Sequence, residues 1–510
     1  MTEEAGQAGS YRVTITVLVI LAAMMQTLDT TIVNVALPYV QGSVATSPDQ
    51  ITWVLTSYIT ATAIMTLPTG FLVGRFGLRL VFVASTLGFT VASMLCGTAE
   101  SLTQIVVFRV LQGAFGAAMI PLAQTVLLTI YPKERHGFAM ALFGIGVVVG
   151  PVLGPVLGGW LTENYTWRYV FYINGPLGIV GVLGMMMFLP ESPRSALQKF
   201  DWFGFATLSL AIGALQILLD RGEIKDWFGS SEIVIEALLA GSAFYLFLVH
   251  TFTAERPFMR PALFRDRNFT AGVVFSVVAF ITLYASLALQ PPYLQDLMNY
   301  PVFTAGLAMG PRGVGTMIAT MIVGRFVGKV DTRLLLGIGL ALSAWSFYVM
   351  TGWTPDVSQG EIVIAGLAQG AGFGVLFVPM STVTLSTLAP QDRADGASVF
   401  SLSRSLGSSV GISVFTALLT TNTEINHADI SANVTAVNRA FQDPTVSQFL
   451  SPLTDAGRAA LDALVTQQAQ VIAYIDDYKA LLIATLALFG LLVIFKKSSG
   501  SAGGHAVVEG

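Results

Sequence analysis

Charge is what this chain has least of. Only 11% of its 510 residues are Asp, Glu, Lys or Arg, against about 25% in a soluble domain, so it cannot wrap a core in polar surface. With 54% hydrophobic residues and a mean hydropathy of +0.70, its solvent is lipid and it reads as a polytopic membrane protein. Cysteine is nearly absent: Cys96 stands alone in an apolar stretch, which excludes a disulfide and leaves the redox compartment unreadable. The four histidines, His136, His250, His427 and His505, are scattered, without metal-ligand spacing or a paired nucleophile. No GxxxxGK(S/T) phosphate loop occurs either, so an enzyme and direct ATP drive are both disfavoured and no metal or cofactor is expected. Residues 1–12 form a short polar tail, and the first apolar run is too long for the core of a cleavable leader. The net charge of −4 points to no nucleic-acid partner; where the charges lie matters more than their sum.

Apolar segments of spanning length lie near 13–38, 50–73, 80–98, 102–127, 138–161, 168–189, 202–220, 232–252, 270–291, 304–324, 334–352, 361–387, 396–420 and 479–495. These fourteen spans make an all-α protein with both termini on one side. Of the 26 Lys and Arg, seventeen fall on the side of the termini and six on the other; Arg109, Arg312 and Arg404 lie within helices. That bias predicts cytoplasmic termini.

An internal repeat connects the two ends. LVGRFGLRL at 72–80 matches IVGRFVGKVDTRL at 322–334, and Gln112-Gly113, Pro121, Pro132, Arg135, Gly146 and Gly150 are echoed by Gln369-Gly370, Pro379, Pro390, Arg393, Gly407 and Gly411. Two similar six-helix halves of equal orientation imply a pseudo-two-fold along the membrane normal and a substrate cavity between them near mid-membrane. The expected organisation is a cytoplasmic tail (1–12), an N-terminal half (13–189), two extra helices with linkers (190–269), a C-terminal half (270–495) and a flexible cytoplasmic tail (496–510). Residues 421–478 form a long external segment, longer than ordinary connections. Within it Leu461, Leu464, Val471 and Ile475 suggest an amphipathic helix leading into the last span, serving either a partner or a packed lid.

Within the first apolar run, VTITVLVILAAMMQTLDTTIVNVALP, stands Asp29. A charge at that depth costs at least about 2.5 to 3.5 kcal/mol, which makes it a functional candidate, with a polar packing residue as the alternative. Depth arithmetic puts Asp29 about 14 Å and Arg109 about 10 Å from the outer ends of their helices. The two can therefore neutralise each other, unless Arg109 snorkels to the outer headgroups. GVVVGPVLGPVLGGW at 146–160 stacks Gly146, Gly150, Gly154 and Gly158 at four-residue spacing, with Gly159 beside the last and Pro151 and Pro155 interrupting. Such a stripe permits a tight helix seam, and its prolines add a kink suited to a gate. Met24, Met25, Gln26, Asn34, Phe115 and Met119 are candidates for lining a mostly apolar substrate cavity.

LDTTIVNVALP at 28–38, RVLQGAFGAA at 109–118, the glycine stripe and WRYVFYINGPLG at 167–178 resemble the major facilitator superfamily, specifically its fourteen-helix drug:proton antiporters of the EmrB/QacA type. LDRGEIKDWF at 219–228 and LFRDRNFTAG at 263–272 are most similar to the EmrB-like branch of Gram-negative bacteria. The resemblance implies a major facilitator fold with two inserted helices and an inner-membrane exporter of hydrophobic or amphipathic compounds, driven by protons and working with a periplasmic adaptor and an outer-membrane channel. It implies proton coupling at Asp29 assisted by Arg109, and gating by Arg75, Gly77, Arg79, Gln112, Gly113 and the residues of the stripe. A proton-linked nutrient importer on the same fold is the alternative. One departure stands out. The superfamily usually has an acid before its first loop arginine, where GFLVGRFGLR at 70–79 has Gly74, so Arg75 and Arg79 either gate or only fix topology.

Overall fold

The computed structural model describes residues 2–46, 48–191, 200–255, 257–389, 392–434, 450 and 453–495. Part of the linker after the first half (192–199) and the tail 496–510 lie outside them. Fourteen helical segments coincide with the expected spans among these residues. They are α1 (Thr2–Val44), α2 (Trp53–Thr66 and Thr69–Phe76), α3 (Leu78–Thr98), α4 (Leu102–Gly116 and Met119–Ile130), α5 (His136–Asn164), α6 (Tyr169–Tyr172 and Asn174–Phe188) and α7 (Trp202–Arg221). The remainder are α8 (Ser231–Thr253), α9 (Arg267–Pro292, prolonged by a π-turn), α10 (Val302–Val323), α11 (Thr332–Met350), α12 (Gln359–Ser386), α13 (Arg393–Ala432) and α14 (Asp455–Leu491). Ten, or eleven counting the bent α2, are long and apolar enough to cross a bilayer among the described residues.

Local chemistry sets the boundaries. The side chains of Ser101, Asp201, Asp266, Ser358 and Thr454 accept from backbone N–H groups of the first turns of α4, α7, α9, α12 and α14, which answers donors that have no partner within the helix. Pro68, which has no N–H to give, coincides with a bend of 54° in α2. Tight turns after α2 and α10 rest on Gly77 and Gly328, at φ 88° and 87°. A side chain there would be strained, and the matched pair is the repeat written in backbone geometry.

The repeat also governs packing. In the first half α1 packs on α5, α2 on α4, and α3 on both α4 and α6; in the second, α9 packs on α13, α10 on α12, and α11 on both α12 and α14. The halves meet where α5 touches α10 and α12, and where α13 touches α2 and α4. On the face carrying the termini this seam is closed. Phe143 of α5 stacks on Phe377 of α12 at 6.2 Å, and Arg393 Nη1 donates to the Leu128 carbonyl at 3.3 Å. A Cβ on Gly70 of α2 would collide with the Asp395 carboxylate of α13. Arg260, from the connection between α8 and α9, binds both Asp392 and Asp395, at 2.6 and 2.9 Å. The acids that bind Arg260 thus lie at the start of α13, while among the described residues nothing lies within 4 Å of a Cβ on Gly74.

The inserted α7 and α8 form an outer layer. α7 leans on α2 and α13, where Thr56 donates to Asp220 and Ser413 donates to the Leu219 carbonyl. α8 leaves Ile235, Leu238, Tyr245 and Phe252 exposed, as expected of a surface turned to lipid.

Most of the external segment proves helical. α13 continues to Ala432 and α14 begins at Asp455, so their 40 and 37 residues measure about 60 and 55 Å, well beyond a hydrocarbon core of about 30 Å. Leu461, Leu464, Val471 and Ile475 all lie on α14, continuous with the last span. Residues 435–449 and 451–452 fall outside the described residues.

Candidate functional site

Asp29 and Arg109 are joined. Arg109 Nη1 donates to Asp29 Oδ2 at 2.6 Å, and both side chains are fully buried. Snorkelling is thereby replaced by an internal ion pair, placed at the middle of the first half by the packing of α1 against α5 and of α4 against α2 and α3.

The carboxylate is bonded on both oxygens. Oδ1 accepts from Gln112 Nε2 at 2.7 Å and from Asn174 Nδ2 at 3.1 Å. Gln112 lies one turn beyond Arg109 on α4, close enough for Arg109 Nη1 to donate to Gln112 Oε1 at 2.8 Å as well. Arg109 Nε donates to the Val54 carbonyl at 3.0 Å, and the guanidinium lies 4.0 Å from the Tyr58 ring centroid. Asn174 also donates to Ser93 Oγ at 3.0 Å, which in turn donates to the Phe171 carbonyl. Five helices, α1, α2, α3, α4 and α6, therefore meet in one network around this carboxylate, with α4 and α6 bonding it directly and α2 and α3 holding Arg109 and Asn174. In a medium with no water to solvate an ion, this is how a buried charge is made tolerable: an opposite charge plus hydrogen bonds on the remaining lone pairs. Removing one partner of such a pair costs about 3–5 kcal/mol.

The glycine stripe of α5 supports the acid from behind. A Cβ on Gly150 would lie 2.7 Å from Leu28 N, one on Gly154 would lie 3.1 Å from Ile32 N, and one on Gly158 would lie 2.8 Å from the Ile32 carbonyl. Gly146 faces Ile20, and Gly159 has looser contact with Val35 at 3.9 Å. The stripe is thus the surface on which α1 rests on either side of Asp29. The side chains of Pro151 and Pro155 lie outside the described residues. Gly113 performs the same service for α4, where its missing Cβ admits the Tyr58 carbonyl of α2.

The other expected residues separate. Arg79 donates to the Met186 carbonyl and lies 3.9 Å from Glu191, tying the start of α3 to the end of α6, while Arg75 is exposed on the same face. The six side chains expected to line a cavity lie in different surroundings. Met25 and Met119 are in the core of the first half, Gln26 is buried and Met24 half-buried on α1. Asn34 is exposed further along α1, and Phe115, on a different face of α4 from Arg109, packs its ring over Gly88 of α3. Tyr58, Ser93 and Asn174 were missed by sequence reasoning. Asn174 carried a signal, an amide inside an apolar helix; Tyr58 and Ser93 carried none.

Comparison with known proteins fits this arrangement. The description "Major Facilitator Superfamily" matches residues 19–412. The multidrug export protein EmrB of Escherichia coli K12 is 34% identical over 99% of both chains. The fatty acid resistance protein FarB of Neisseria gonorrhoeae is 33% identical, over 96% of its own length and 95% of this chain. Among solved structures, the human organic anion transporter MFSD10 shares the fold with a TM-score of 0.62 at 13% identity, covering 94% of this chain and 99% of its own.

Proposed function

The chain belongs to the Major Facilitator Superfamily, and from that premise we propose that it is a proton-coupled exporter of hydrophobic and amphipathic toxic compounds. The observation that carries this reading is the sealed Asp29–Arg109 pair. A carboxylate bonded by Arg109, Gln112 and Asn174 and closed to solvent can exchange its proton only when the surrounding helices part. Protonation neutralises Asp29, weakens its hold on Arg109 and frees the α1–α4 contact to rearrange; deprotonation restores it. Coupling a proton to a conformational cycle needs no cofactor.

The face carrying the termini is the cytoplasmic one in this proposal, in accord with its excess of Lys and Arg. Its closed seam then corresponds to a state shut toward the cytoplasm. One charge moving through 100 mV yields about 2.3 kcal/mol, roughly a 40-fold concentration ratio per proton, ample for expelling a drug. The names of the relatives EmrB and FarB, a multidrug export protein and a fatty acid resistance protein, support export of amphipathic compounds. The protein serves as an inner-membrane subunit, and the α13–α14 extensions on the far face are the surface offered to a periplasmic adaptor and, through it, an outer-membrane channel.

Dye accumulation in cells expressing the protein tests the coupling. Asp29→Asn is expected to abolish efflux driven by the proton gradient; efflux at the unaltered rate would sink the role assigned to Asp29. Shortening the extensions and asking whether the adaptor still co-purifies tests the partner, and retention of the adaptor would exclude this surface.

A further inference from the structure

The C-terminal half contains a twin of the Asp29 site in which the acid is missing. Gln369 of α12 is the repeat counterpart of Gln112, and its Nε2 donates at 2.8 Å to Ser286 Oγ of α9, as Gln112 Nε2 donates to Asp29 at 2.7 Å. Ser286 therefore stands where Asp29 stands. The arginine is present as well, but arrives from another helix: Arg312 of α10 donates to Gln290 Oε1 at 3.2 Å, to Ser286 Oγ at 3.4 Å and to the Leu283 carbonyl at 3.2 Å. Gly366 and Gly370 of α12 make room for its backbone.

A second arginine, Arg404 of α13, is equally buried, with Phe280, Phe377 and Phe400 ring centroids at 5.6, 6.0 and 5.7 Å. Phe377 is the ring that stacks on Phe143 of the other half, so Arg404 stands beside the seam between halves. Among the described residues neither Arg312 nor Arg404 has a carboxylate within 4.0 Å. Their half thus holds two buried positive charges with no acid in bonding reach among the described residues, for its one fully buried acid, Asp477 of α14, is bonded to neither, a costly arrangement in an apolar medium.

The polar atoms around Arg312 are arranged for an acceptor that the described residues do not supply. Ser286 Oγ accepts from two donors, which leaves its own proton to give. Among the described residues Gln369 Oε1 and Arg404 Nε have no hydrogen-bond partner. A cavity of about 20 Å³ adjoins Arg312 and Gln369, edged by Thr282, Ser343, Phe373 and Thr485. That is enough for one water-sized group.

We propose that Arg312, Ser286 and Gln369, once the water-sized cavity beside them opens, seat the carboxylate-like head of an exported amphiphile, whose apolar body lies along Phe373 and its ring partners Phe280 and Phe377, against which Arg404 also lies. The ligand class is the monoanionic amphiphile. The ligand's charge takes the place in the second half that Asp29 fills in the first. This deepens the exporter reading and rests on it.

The test is equilibrium binding of decanoate and of uncharged decanamide to the purified full-length protein in detergent. The unaltered protein is expected to prefer decanoate by about tenfold or more, the worth of a charge-assisted hydrogen bond. Arg312→Gln and Arg404→Gln should collapse that ratio toward one, with Arg312→Lys retaining part of it. Ser286→Asp, which supplies an internal carboxylate, should abolish the preference while the protein stays folded, and so guards against loss by misfolding. Equal affinity for the two compounds in the unaltered protein, or an undiminished ratio in Ser286→Asp, would overturn the proposal. So would displacement of decanoate by chloride at equal concentration, which would assign the seat to a free inorganic anion. Dye efflux from cells, run in parallel, reports separately on the exporter reading: its absence in the unaltered protein counts against export and not against the decanoate ratio.

Discussion

In the first half a buried arginine is answered by an acid of the chain itself; in the second, two buried arginines are bonded only to neutral groups among the described residues. The scaffolds are alike, with the same helix pairs and the same glutamine at the same level of α4 and α12. What differs is the source of the negative charge. A half that carries its own carboxylate is suited to holding a proton, because its charge state is set by protonation of that group. A half whose buried cations have no acid in bonding reach among the described residues is suited to holding an anionic ligand, which would supply one.

The comparison breaks most sharply at the arginines. Arg109→Gln leaves Asp29 buried without its counter-ion and is expected to cost about 3–5 kcal/mol, read by thermal or denaturant unfolding of the purified protein. The double variant Asp29→Asn/Arg109→Gln should recover much of that, since no uncompensated charge remains. Arg312→Gln removes a charge that was never paired, so it should be neutral or stabilising without ligand. Equal losses in Arg109→Gln and Arg312→Gln would mean that the halves do not differ in the way their geometry suggests.

Much of this was legible in the sequence, and the limits have physical causes. Hydropathy reports burial in lipid, so all fourteen helical segments were visible, as was the repeat in VGRF at 73–76 and 323–326. Depth counting from helix ends placed Asp29 level with Arg109 because helices rise uniformly. Hydropathy is silent on which face of a helix meets which neighbour, so Tyr58, Ser93 and Asn174 could not be gathered around Asp29, and Phe115 was expected in a cavity although it packs on Gly88. The twin site was hidden for a related reason. Gly366 occupies the repeat position of Arg109, and Arg312 enters from α10, so an aligned comparison shows an arginine lost where the structure shows one moved. The extensions of α13 and α14 are polar, which hides a helix from any search for spans.

Smaller effects separate the seams. Gly154→Val on α5 and Gly411→Val on α13 each add bulk where a Cβ already meets backbone, at 3.1 Å from Ile32 N and 2.5 Å from the Ile281 carbonyl. Each is expected to cost about 1–3 kcal/mol by overpacking. Only Gly154→Val should also slow proton exchange at Asp29, since its seam carries that residue's helix; substrate-induced proton release from proteoliposomes is the readout, and equal slowing in both variants would contradict the assignment. Arg260→Ala removes a partly exposed cation bound to Asp392 and Asp395 and is worth within about 1 kcal/mol of stability. Its effect should appear instead as greater labelling of a cysteine put in place of the neighbouring buried Thr69 of α2, read by thiol-reactive dye. Unchanged labelling would mean that Arg260 does not hold the seam shut.

The smallest effect is expected where the chain departs from its family. Gly74→Asp adds the acid that the family resemblance leads one to expect before Arg75, yet among the described residues nothing lies within 4 Å of a Cβ at Gly74, and Asp392 and Asp395 at the start of α13 already supply acids to this layer. Dye efflux should therefore change by less than about twofold, the scale of a surface substitution. Gly324 is the repeat counterpart, and there the surroundings are the reverse. A Cβ would lie 2.5 Å from the Ala141 Cβ and 3.3 Å from the Gly137 carbonyl of α5, so Gly324→Asp wedges α10 away from α5 where the halves close. A large loss of efflux in Gly324→Asp beside near-normal efflux in Gly74→Asp places the gate at the α5–α10 contact. Strong impairment by Gly74→Asp would instead mean that the turn between α2 and α3 passes through a crowded state during the cycle, and that its glycine is there to let it through.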